Sequence, residues 1–218
     1  TSSKAHMTYK AVLFDLDETL VYTAPEFRKG IIQTIGRELD IEVPRGFADH
    51  FWFRGNRSEF VAQGFALDDL TKWWDLYEQL DNFASRVEYT LPFNDIDVVR
   101  RIKNAGYKTG AITGASPSIC EINMDVIGKE LFDEVIVANK RHTGIEFKPD
   151  PEGIQLCLER LGVKPEEAIY VGNGDEDVLA AQNAGVLDVL ILRGHYQPPN
   201  VGASMTVTSL HGLGSILR

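Results

Sequence analysis

From Gly106 onward, short apolar runs alternate with helical segments whose ends can be read, and this alternation constrains the fold more than any single motif. The strand candidates are Tyr107–Ile112, Glu134–Ala138, Ala168–Val171 and Asp188–Arg193. Ser116, Pro117 and Gly128 mark the start, first turn and stop of one intervening helix, and Asp150, Pro151 and Gly162 mark those of another. The tripeptide Asn-Ala-Gly ends a helical segment at Gly106 and again at Gly185, each time just before a strand. A chain that makes a helix between successive strands builds a parallel sheet with helices on both faces, an α/β architecture. Ligands of such sheets collect at the carboxyl ends of the strands.

The interval from Tyr22 to Leu91 follows a different pattern, helix after helix. Thr23 and Glu26 have capping-box spacing, and Phe27, Ile31, Ile35 and Leu39 then recur every four residues on one helical face. Asn56 with Glu59 suggests another helix start, and Leu70, Trp73, Trp74, Tyr77, Leu80 and Ala84 form an apolar stripe in which the tryptophans read as core. The expected organisation is an α/β core made of residues 8–21 and 92–218, with an all-helical insert at 22–91. The polar, patternless opening Thr1–Met7 reads as an expression-tag remnant.

Charge and cysteine content narrow the partners. A net charge of −10 argues against nucleic acid or an anionic membrane surface. An anionic small molecule would therefore need local positive charge or a metal. Cys120 and Cys157 lie in helix-like apolar patterns and read as core thiols, as a reducing cytoplasm would allow. No signal peptide and no bilayer-length apolar run is evident.

The run Ala11 to Phe14 reads as a buried strand, and it leads into Asp15 and Asp17. In extended backbone these side chains share a face roughly 6 to 7 Å apart, where two charges repel by roughly 2 to 3 kcal/mol at an effective dielectric of about 20. A cation, a shared proton or solvent has to offset that. Three further strand ends carry suggestive groups: Thr113 and Gly114 before a helix start, Lys148 in a proline-stiffened loop, and the acidic turn from Gly172 to Asp177. Each alone has a bland reading, as a helix cap, a solvated lysine, or acids set against a helix dipole.

Taken in order, Asp15-x-Asp17-x-Thr19, Thr113, Lys148-Pro149 and the acidic turn resemble the haloacid dehalogenase superfamily, in the phosphoglycolate phosphatase and β-phosphoglucomutase-like branch with a helical cap. The resemblance spans about Tyr9 to Arg193. It implies a Rossmann-like core and a magnesium-dependent phosphatase acting on a small phosphorylated metabolite. Asp15 would attack phosphorus and form an aspartyl phosphate, and Asp17 would serve as general acid and then base. Thr113, Gly114 and Lys148 would hold the phosphoryl group, and Asp15, Asp17, Asn173 and Asp177 would hold Mg2+. The cap would close over the strand ends, with Arg54 and Arg57 as candidate contacts for a substrate anion. Asn173 departs from the family pattern, which commonly has aspartate there, and costs the metal site one negative charge. A sugar-phosphate mutase, or a weakened relative that only binds a phosphorylated metabolite, stays open; so does the choice between monomer and homodimer. Glu18 weighs against the mutase, whose relatives usually carry glycine at that position.

Overall fold

A computed structural model of the chain describes residues 8–53 and 57–217. Two sequence expectations, the anion contact by Arg54 and the helix start at Asn56, lie outside the described residues, as do Thr1–Met7. In chain order the elements are β1 (Ala11–Phe14), β2 (Val21–Thr23), α1 (Pro25–Glu38), α2 (Phe47–Phe53), α3 (Arg57–Phe65), α4 (Thr71–Leu80), α5 (Phe83–Arg86), β3 (Thr90–Pro92) and α6 (Asp97–Asn104). There follow β4 (Lys108–Thr113), α7 (Pro117–Ile127), β5 (Glu134–Val137), α8 (Lys140–Thr143), α9 (Glu152–Leu161), β6 (Ala168–Gly172), α10 (Asp175–Asn183), β7 (Leu187–Ile191) and β8 (Met205–Val207). Two compact units divide the chain, one made of the segments up to Val21 and from Pro92, the other of Tyr22–Leu91.

The first unit is a six-stranded sheet in the order β5-β4-β1-β6-β7-β8, parallel throughout. Alternation along β1 shows why it is central. Val12 and Phe14 pack into one apolar layer with residues of α6 and α7, while Ala11 and Leu13 pack into the other with residues of α9 and α10. Both faces are covered, so the strand reads as an unbroken apolar run. Burying a side chain such as Phe14 or Ile112 completely contributes roughly 1.5 to 3 kcal/mol. Cys120 and Cys157 are buried and unoxidised, one in each layer, and burial pushes their thiols up to about 11 and about 12.

The helical unit is built on closely packed aromatic rings. Phe47 lies 4.4 Å from Phe65 between centroids, and Phe65 lies 4.8 Å from Trp73. Trp73 is fully buried and Trp74 half-buried.

Local details depart from the sequence reading where a distant partner takes over. Thr23 does not cap α1; it lies in β2, and its hydroxyl accepts hydrogen bonds from Arg86 at 3.0 and 3.3 Å. The cap position falls to Ala24, with Pro25 opening the helix. Helix α9 begins one residue later than expected, yet the Asp150 side chain still accepts the Glu152 N–H at 2.9 Å. Ala84 leaves the apolar stripe, because α4 ends at Leu80 and Ala84 is exposed in the separate helix α5. The interval also contains short strand pairing, since β2 and β3 form a two-stranded ribbon where the chain passes between the units.

Candidate active site

Strand β1 ends at Phe14, and Asp15 and Asp17 lie in the segment that follows it. The Asp15 N–H still donates to the Val171 carbonyl at 2.9 Å, which fixes Asp15 to the end of β6. Beyond it the chain coils tightly: the Leu16 carbonyl accepts N–H bonds from Thr19, Leu20 and Val21 at 3.1, 2.9 and 3.2 Å. Making that turn puts Glu18 in the left-handed region, at φ 62°, which costs a non-glycine residue about 1 to 2 kcal/mol. Asp15 and Glu18 are buried and Asp17 is half-buried.

Asp15 uses both carboxylate oxygens. Thr19 Oγ1 donates to Oδ2 at 3.2 Å, and Lys148 Nζ donates to Oδ1 at 2.8 Å. The same ammonium donates to Asp177 Oδ1 at 2.7 Å and lies 3.1 Å from the Tyr170 hydroxyl, which itself donates to Asp177 at 2.8 Å. One buried cation thus serves two buried carboxylates. Burial and the charge of Asp177 push Asp15 up to about 7 despite Lys148, with a smaller contribution from Asp17. Burial works against charge on Lys148 as well, but Asp15 and Asp177 outweigh it and hold the ammonium well above its ordinary range.

Two more strand ends carry residues of the candidate site. Thr113 is the last residue of β4, and its Oγ1 accepts the Ala115 N–H at 3.1 Å, leaving the hydroxyl hydrogen to donate elsewhere. The Gly114 carbonyl is held by Asn139 Nδ2 at 2.9 Å. After β6, a Cβ at Gly172 would fall on the Asp177 carboxyl group, so glycine there makes room for that acid. Asn173 is half-buried beside them. Glu176 folds back over Gly174, where a Cβ would stand 2.5 Å from its Oε2, and that oxygen is buried without a hydrogen-bond partner. Burial and the neighbouring Asp177 push Glu176 up to about 8.

Arg57 belongs to the helical unit and makes contacts within it. Its guanidinium donates to the Trp52 carbonyl at 2.8 Å and the Tyr77 hydroxyl at 3.4 Å, and lies over the rings of Phe51 and Trp52.

The sequence pattern of haloacid dehalogenase-like hydrolases matches residues 9–185, a stretch containing every strand-end group just described. The chain belongs to that family. A glyceraldehyde 3-phosphate phosphatase of Methanopyrus kandleri is 36% identical over 204 residues, covering 86% of each chain. The pyrophosphatase PpaX of Bacillus velezensis is 31% identical over 184 residues, covering 80% of this chain and 79% of its own. Among solved structures, a haloacid dehalogenase-like family protein of Streptococcus pneumoniae superposes with a TM-score of 0.80 at 17% identity, over 96% of this chain and 99% of the other. The hydrolase is therefore an α/β enzyme with a Rossmann-like core. No helix among its described residues is long and apolar enough to cross a membrane.

The donor set of this haloacid dehalogenase-like hydrolase is of the hard-oxygen kind, and its acids carry more negative charge than Lys148 offsets. Each carboxylate oxygen has about two acceptor sites, so Asp15 keeps one on each oxygen and Asp177 keeps one on Oδ2, which accepts the Gly174 N–H at 3.1 Å. Among the described residues no three acid, histidine or cysteine side chains are arranged to hold a metal ion. A hard cation would thus draw on backbone carbonyl, amide and water oxygens besides carboxylate, as magnesium commonly does.

Three parts of the site escaped the sequence reading. Tyr170 had a signal, since a hydroxyl in a buried strand needs a partner. Glu176 was read only as an acid at a helix start. The third, the segment from Arg193 to His195, reaches the Asp17 turn from the far end of the chain, at separations of 174 and 177 residues.

Proposed function

We propose that the protein is a magnesium-dependent phosphatase that hydrolyses a small phosphate monoester through an aspartyl-phosphate intermediate. The observation that carries this reading is the Asp15 carboxylate, fixed at the end of the central strand and held 2.8 Å from a buried lysine that also grips Asp177. An oxygen of Asp15 attacks phosphorus while the bond to the ester oxygen breaks, and Asp17 gives that oxygen its proton. Water then attacks the phosphorus, Asp17 takes a proton from it, and the bond from phosphorus to Asp15 breaks to release phosphate. Lys148, with the Thr113 hydroxyl and Gly114 amide, binds phosphoryl oxygens and stabilises charge that builds on them. Asp15, the Asp17 carbonyl, Asn173 and Asp177 would hold magnesium, which would supply positive charge to offset both the acids and the phosphoryl group. The relatives named for phosphatase activity on small phosphorylated compounds support a substrate of that class.

The test is phosphate release from an aryl phosphate with and without magnesium. The wild type should release phosphate only with the ion, and Asp15→Asn should lose at least a thousandfold. Activity persisting in Asp15→Asn would reject the nucleophile. Asn173 favours a second reading, a weakened enzyme that chiefly binds its ligand. Asn173→Asp restores one charge and should lower the magnesium concentration needed by about tenfold; an unchanged or higher requirement would count against the metal assignment.

A further inference from the structure

Glu18 combines three costs in one residue. It occupies left-handed backbone without being glycine, its carboxylate is nearly inaccessible, and one of its oxygens, Oε1, is buried with no hydrogen-bond partner. A solvated turn would need none of these, since a glycine would make the same turn without strain. What the glutamate adds is its other oxygen: Oε2 lies 2.9 Å from His195 Nδ1, a contact between the loop after β7 and the turn that carries both candidate catalytic acids. With the carboxylate as acceptor, His195 is the donor.

The neighbours of His195 reach the same turn. Arg193 donates to the Thr19 carbonyl from Nε at 3.1 Å and from Nη2 at 2.6 Å, and forms a two-bond pair with Asp95 at 2.7 and 3.0 Å. The Phe93 ring lies under the Arg193 guanidinium at 4.1 Å and beside the His195 ring at 5.6 Å, while the Phe93 N–H donates to the Leu20 carbonyl at 3.0 Å. The turn is therefore held on both sides of Asp17: Asp15 is tied to β6 before it, and Glu18, Thr19 and Leu20 are tied down after it.

We infer that Glu18 and His195 form a latch that positions Asp17, the proposed general acid and base, by fixing the backbone immediately after it. The inference rests on the phosphatase reading for its kinetic consequence but not for the latch itself. Both are positioning residues. Proton transfer to a leaving oxygen demands a carboxyl within hydrogen-bond reach, and a displacement of about 1 Å can cost a hundredfold in rate. Glu18 accepts backbone strain so that its side chain can be anchored.

Glycine at position 18 separates positioning from stability, because it relieves the strain while removing the anchor. Glu18→Gly should keep or raise the melting temperature, lower kcat on an aryl phosphate about tenfold and leave KM within twofold. His195→Ala should show the same kcat loss, and the double variant should lose no more than either single one. His195→Asn, whose amide nitrogen stands near the Nδ1 position, should recover most of the rate. Amide hydrogen exchange over Leu16–Val21, followed without substrate, should quicken in His195→Ala and return toward wild type in His195→Asn. Wild-type kcat in Glu18→Gly, or a kcat loss in His195→Ala that asparagine does not relieve, overturns the latch. Should the wild type itself release no phosphate, the functional reading fails by that result, and the exchange experiment still judges the latch: unchanged exchange in His195→Ala rejects it.

Discussion

The two units of the molecule both bury charge, but they balance it differently. Among the described residues of the helical unit each buried cation has its own acid. Arg86 lies 3.5 Å from Asp81, donates to Thr23 and covers Trp52 at 4.8 Å, while Arg28 donates to Asp49 at 3.1 Å and to the Thr23 carbonyl at 3.3 Å. Tyr77 completes this network by donating to Asp81 at 2.8 Å; burial and that carboxylate push its hydroxyl well above the ordinary range. In the α/β unit, by contrast, Asp15 and Asp177 share the single ammonium of Lys148, and burial beside Asp177 pushes Glu176 up to about 8. A closed pair of opposite charges holds a shape, and its groups have little reason to change state. Several acids around one cation leave carboxyls whose protonation is near balance, which is what binding a cation or moving a proton requires.

The largest effect should come from removing the shared cation. In Lys148→Ala, phosphate release should fall by a thousandfold or more. The stability change should depend on pH in a defined sense. Asp15 already sits near 7, above its unfolded value of about 3.9, so its contribution to stability falls as pH rises from about 4 to about 7 and levels off beyond. Without Lys148 that fall grows, so the variant should be destabilised by about 3 to 5 kcal/mol above pH 7 and should approach the wild type near pH 5. Urea unfolding at the two pH values measures this. A loss of equal size at both would mean that the lysine serves packing and not charge.

Arg86→Ala is the matching cut in the helical unit. It leaves Asp81 buried without its cation and strips the guanidinium from Trp52, at a cost of about 2 to 4 kcal/mol. Activity per folded molecule should stay within threefold of the wild type. A variant that kept its stability but lost turnover would erase the contrast between the two units.

How far this contrast was legible in the sequence depends on contact range. Five of the six strands of the parallel sheet and the helix stops at Gly106, Gly128, Gly162 and Gly185 follow from local patterns, and the structure has them within a residue or two, whereas the edge strand β8 was not anticipated. Asp15 stood out because it sits where an apolar run ends, and Lys148 and Asp177 because they follow later strands whose carboxyl ends topology brings together. Thr23 misled because its helix-capping spacing is local while its actual partner, Arg86, is 63 residues away. His195 offered no signal at all, because nothing near it in sequence announces a glutamate 177 positions earlier. Local rules fail where a long-range hydrogen bond outbids them, and around Asp17 several such bonds converge.

The smallest effect sharpens the comparison most, because it concerns a closed pair inside the reactive unit. Asp95 is buried, accepts two hydrogen bonds from Arg193 and a third from the Leu210 N–H at 2.8 Å. Burial alone would raise its pKa, yet the Arg193 hydrogen bonds and charge, together with that N–H, outweigh it and hold the carboxyl below its ordinary value. A depressed acid stabilises the fold above its unfolded pKa of about 3.9, and that contribution disappears as pH falls through the lower folded value. Asp95→Asn should therefore cost about 1 to 2 kcal/mol at pH 7, equivalent to a drop of roughly 2 to 8 °C in melting temperature for a chain of this size. The gap between variant and wild type should close only below pH 4, a window well separated from the one near 7 expected for Lys148→Ala. If partner number and not location in the molecule decides how buried charge behaves, Asp95 should not resemble Asp15. A gap that instead closed between pH 5 and 7 would show that residence in the α/β unit, and not a private partner, sets the response.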